Sequence, residues 1–78
     1  MLTIKVVMRT LSITAFANLF SILSEYYPDA NIRLKPNYGT ETFLLELPKQ
    51  EFEVSDHEFF VALDSRGLIN SWGVASYL

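Results

Sequence analysis

The chain has 78 residues, half of them hydrophobic, no cysteine and a formal net charge of −3. That length allows one domain around one small core, and without cysteine neither a disulfide nor a thiolate metal site can reinforce it. The absence of cysteine also fits a reducing, cytoplasmic compartment. No run approaches the roughly 18 apolar residues that span a bilayer, and the acidic balance weighs against generic binding to nucleic-acid phosphates or anionic lipid.

Leu2, Ile4, Val6 and Met8 alternate with Thr3, Lys5, Val7 and Arg9, the period-two pattern of a half-buried strand rather than of a secretory signal. A helix follows, with Ser12 as N-cap and Leu11 and Phe16 as the two halves of a hydrophobic staple. Phe16, Leu19, Phe20, Leu23 and Tyr27 form its apolar stripe. Pro28 ends it and pushes Tyr27 out of helical geometry. Asn31 to Lys35 reads as a short strand with Ile32 and Leu34 inward and Arg33 and Lys35 outward, and Pro36-Asn37-Tyr38-Gly39 is turn chemistry. Thr42 to Leu47 is the next strand, with Phe43, Leu45 and Leu47 on one face and Thr42, Leu44 and Glu46 on the other. Pro48 ends it. Residues 51–54 alternate too, and read either as an irregular connector or as a fifth strand.

The second helix is expected to start at Ser55. Ser55 and Glu58 match a capping box, and Val54 and Phe59 match a staple. At its far end Gly67 fits the left-handed position, with Leu68 reaching back to Leu63 as in a Schellman motif. Residues 68–78 carry Trp72, Val74 and Tyr77 and no charge, and read as the last strand. The order β-α-β-β-α-β resembles the ferredoxin-like superfold: an α+β single domain over residues 1–78, with two helices on one face of a four-stranded antiparallel sheet ordered 4-1-3-2. That architecture hosts many unrelated functions and implies no activity.

Charge is unevenly distributed. Seven of the nine acidic residues lie between Glu41 and Asp64, with Lys49 the sole basic residue among them, a net −6. Residues 1–40 are net +2, from Lys5, Arg9, Arg33 and Lys35 against Glu25 and Asp29. Some of the acidic block has local structural work at a helix start. Glu51, Phe52 and Glu53, with Glu58 beside them, form the segment expected to serve as a binding surface. A second expected interface is the uncovered sheet face, with Lys5, Val7, Leu44 and Trp72. Spare apolar residues there suit a protein partner or a second copy, and the uncharged last strand offers an edge for pairing.

The catalytic inventory is sparse. His57 is the only histidine, and on a helix Asp56, His57 and Glu58 point about 100° apart, so they do not converge on one ion. There is no G-x-S-x-G elbow, and three glycines provide no familiar phosphate-cradling loop. Paired glutamates such as Glu51 and Glu53 could do acid–base chemistry, but exposed glutamates are common. The exposed positions of the first and third strands hold Thr3, Lys5, Val7, Arg9, Thr42, Leu44 and Glu46. None is aromatic, which argues against base stacking on the sheet and against direct nucleic-acid binding. The expectation is a small non-enzymatic protein-binding module without metal or cofactor. It would be an inhibitor or adaptor of the kind mobile elements or phages encode, docking on a basic, nucleic-acid-handling protein through the acidic segment. The alternative is a dimeric small-ligand-binding regulatory domain.

Overall fold

The structure is a computed structural model that describes residues 1–9, 12–34 and 42–76. The expectations for Leu11, Lys35, the turn at 36–39, Glu41 and Tyr77 lie outside the described residues, as do those for the side chain of Leu34. The elements run β1 (Leu2–Met8), α1 (Ile13–Tyr26), β2 (Asn31–Leu34), β3 (Thr42–Leu47), α2 (Val54–Ser65) and β4 (Ile69–Ser76). The sheet is antiparallel throughout and ordered β2-β3-β1-β4, the expected ferredoxin-like α+β arrangement. Residues 51–53 form no strand; the segment is a connector that leads directly into α2.

Alternation in β1 sends Leu2, Ile4, Val6 and Met8 inward, and in β3 it does the same for Phe43, Leu45 and Leu47. Pairing Ile4 with Leu45 and Val6 with Phe43 puts these side chains on one face, since directly opposed residues in an antiparallel ladder point the same way. The helices close that face with Leu19 and Leu23 from α1 and Phe60 and Leu63 from α2. The apolar stripe expected on α1 is narrower than its sequence suggests: Phe16 is half-buried, and Phe20 keeps 44% of its surface exposed.

Both ends of α1 follow local chemistry. The Ser12 hydroxyl accepts from the Ala15 N–H at 2.9 Å, and Tyr27 leaves the helical region at φ −123°, ψ 77° ahead of Pro28. The end of α2 is a complete Schellman motif. The Leu68 N–H donates to the Leu63 carbonyl at 3.0 Å and the Gly67 N–H to that of Asp64 at 2.9 Å, with Gly67 at φ +73°.

The start of α2 differs from the Ser55–Glu58 expectation. The N-cap is Glu53, two residues earlier, and its backbone N–H donates to Asp56 Oδ2 at 2.9 Å. Ser55 therefore lies within the first turn, and Glu58 is an exposed helical residue rather than a cap partner. The register is decided by Asp56, whose carboxylate is held from outside the helix.

Candidate functional site

Asp56 is 1% exposed, unusual for a carboxylate unless it is paired. Three donors converge on it. The Tyr27 hydroxyl donates to Oδ1 at 2.6 Å, and the Lys49 ammonium and the Glu53 N–H donate to Oδ2. Lys49 also lies 3.7 Å from Glu53 Oε1 and 6.0 Å from the centre of the Tyr27 ring. Burial alone would raise the Asp56 carboxyl, but the hydrogen bonds from Lys49, Tyr27 and Glu53 and the Lys49 charge outweigh it and hold it below the ordinary aspartate value. Burial pushes the Tyr27 hydroxyl up, and its bond to the Asp56 carboxylate adds to the shift. The cluster ties the end of α1, the 48–53 connector and the start of α2 together. Every member has a partner, so the arrangement suits a structural clamp rather than a general acid or base.

Phe52 joins the same scaffold. It stacks on Trp72 at 5.5 Å and on Phe60 at 6.3 Å between centroids, while Phe60 and Trp72 stack at 5.3 Å. His57 meets Trp72 edge-on at 5.5 Å. The acidic connector is therefore anchored by its central aromatic, and Phe52 is a packing residue on the helix side of the sheet. Trp72 also departs from expectation. It pairs with Val6, whose side chain is in the core, and it packs under α2, not on the open sheet face. The strand assignment was right and the face wrong, because a one-residue difference in register exchanges the two sides of a strand.

On the open face, Leu44 lies between Lys5 of β1 and Arg33 of β2, and Val7 lies between Thr42 and Ser71. Val7 and Leu44 are diagonal neighbours, each half-buried and framed by polar residues. Arg33 is paired with Glu46 at 3.2 Å. Opposite Lys5 stands Gly73, where an added Cβ would meet nothing within 4 Å. The shallow concavity there is about 230 Å³ and is bordered by Lys5, Val7 and Ser71, below the ~300 Å³ at which small-molecule pockets usually begin.

The outer surface of α2 is different in kind. Val54 and Val61 are 74% and 42% exposed, and Glu58 stands between them at helical spacing. Glu51, Glu53 and Asp64 are exposed nearby. Among the described residues, no group of three His, Asp or Glu side chains is placed to hold a metal ion, and no helix is long and apolar enough to cross a membrane. Sequence reasoning missed the Tyr27–Asp56–Lys49 cluster. Its one visible trace was a solitary lysine within an acidic block, a hint that this charge has an assigned partner.

No protein-family model matches the chain, and no curated protein or solved structure matches it either.

Proposed function

We propose that the protein is a small non-enzymatic binding module that docks on a basic protein surface through the exposed face of α2. The observation that carries this reading is the pair of exposed valines, Val54 and Val61, flanking Glu58. Apolar side chains among carboxylates combine desolvatable contact area with charge that steers encounter and fixes orientation. Glu51 and Glu53 extend the acidic rim onto the connector, while Phe52 supports it from beneath by stacking on Phe60 and Trp72. Asp56 belongs to the clamp, and its charge is matched by Lys49. A nucleic-acid-handling protein has the complementary chemistry, since the lysines and arginines it offers to phosphates pair equally with carboxylates. An inhibitor or adaptor acting this way needs no catalytic residue of its own.

The experiment is affinity capture followed by titration of the recovered complex against salt and against two variants, E51K/E58K and V61D. All the altered side chains are exposed, so circular dichroism should show an unchanged fold. The expected result is a Kd raised at least tenfold by each variant and by moving from 50 to 200 mM salt. A complex indifferent to both variants and to salt would sink the reading.

A further inference from the structure

A second surface is independent of the acidic one. From Ile13 to Ser24, α1 carries no charged side chain; its single charge is Glu25, in the last turn. Ile13, Ala17, Phe20 and Ser24 follow one another at intervals of four, three and four residues. At about 100° per residue this keeps all four within a stripe roughly 60° wide, the spacing of a coiled-coil seam. All four are exposed, Ile13 at 90% and Phe20 at 44%. Alongside runs an apolar groove of about 530 Å³, lined by Phe16, Ala17, Phe20, Ser21 and Ser24.

We infer that this seam is a two-fold interface in which α1 packs antiparallel against α1 of a second copy. The order of side-chain sizes along the seam is large, small, large, small. An antiparallel two-fold between Ala17 and Phe20 makes residue i face residue 37 − i of the partner copy. Each Phe20 then meets the other copy's Ala17, and each Ile13 meets the other copy's Ser24. Every contact is large against small, as close packing of interdigitating layers requires. The groove beside Phe16 is open at the point where the second copy's Phe20 ring enters. Parallel pairing would instead oppose Phe20 to Phe20, Ala17 to Ala17 and Glu25 to Glu25. Charge selects the antiparallel arrangement as well. Glu25 sits at the end of α1 where the helix dipole disfavours an anion, and the first turn contains no acidic residue. Antiparallel packing brings each Glu25 toward the positive end of the other helix.

The test is sedimentation equilibrium of the full chain from micromolar to millimolar concentration, on the native protein and three variants. The native chain should dimerise reversibly. A17R places a charge in the seam and should raise the dimer Kd at least tenfold while leaving the circular dichroism melt unchanged. A17F opposes two phenylalanines and should weaken the dimer similarly. The swap A17F/F20A restores large-against-small contact and should recover the dimer to within a few-fold of native, a result that a nonspecific loss of hydrophobicity would not give. A chain that stays monomeric throughout, a dimer unaffected by A17R, or a swap that fails to recover association overturns the inference. None of these variants touches α2, so the outcome is separate from that of the acidic-face titration.

Discussion

Asp56 shows how one side chain can set a helix boundary. Its carboxylate is buried and satisfied by Tyr27, Lys49 and the Glu53 N–H, so removing it leaves a part-buried hydroxyl and a half-buried ammonium without their acceptor. Asp56→Ala should cost about 3 kcal/mol, the low end for breaking a buried pair, because Lys49 retains access to water. Tyr27→Phe should cost about 2 kcal/mol, as for a hydrogen bond to a charged group. Urea denaturation of each variant measures both. The pH dependence follows from the direction of each shift. Asp56 is held below the ordinary value in the fold. Its contribution is therefore complete above the unfolded value near ~4 and is lost as the pH falls through the lower folded value. Tyr27 is raised, so its contribution is complete below ~10 and declines as the pH rises further, when the unfolded chain alone gives up the proton. Stability measured from pH 2 to 11 should decline at both ends. Asp56→Asn should remove this residue's part of the acid limb, and Tyr27→Phe its part of the alkaline one.

Legibility in the sequence differs from element to element according to how local the determinants are. Ser12 caps α1 and Pro28 follows its end, as their chemistry requires. Gly67 closes α2 because the Schellman geometry needs a positive φ, which costs a side-chain-bearing residue about 1–2 kcal/mol. Gly67→Ala should destabilise by about 1 kcal/mol despite the room around it, since the nearest atom to an added Cβ would be Arg9 Nη1 at 3.8 Å. A thermal melt showing no loss would mean that the strain is relieved elsewhere. The start of α2 was not legible in the same way. Ser55-x-x-Glu58 is the better local match to a capping box, yet Glu53 and Asp56 prevail. Tyr27 and Lys49 supply long-range partners to Asp56, and a burial-backed network outweighs a solvent-exposed cap worth ~1 kcal/mol. Among the acidic residues of the connector and α2, the same contacts separate structural from available charge: Asp56 is buried in the clamp, whereas Glu51, Glu53 and Glu58 are exposed.

At the scale of the whole molecule, the β-α-β-β-α-β order and the core faces of β1 and β3 were readable because simple alternation dictates them. The face of Trp72 was not, because β4 carries no clean alternation and its pairing with β1 shifts register between Thr3 and Ile4 and between Val7 and Met8. The packing of Phe52 was not readable for a related reason: an aromatic between two glutamates looks like a surface feature until the far strand supplies Trp72 beneath it. These two rings join the connector, α2 and the sheet edge into one packed unit, which gives the fold-level reading a direct test. Trp72→Ala and Phe52→Ala should each destabilise by about 2–3 kcal/mol, somewhat less than truncation of a fully buried aromatic ring because both are only half-buried. A chain of this length has a total stability of only about 4–12 kcal/mol, so either variant should shift the urea midpoint visibly by far-ultraviolet circular dichroism. Because the two side chains share a contact, the double variant should fall short of the sum by about 1 kcal/mol. Were these residues instead the exposed contacts of a docking surface, each substitution would change stability by no more than about 0.5 kcal/mol and the pair would be additive.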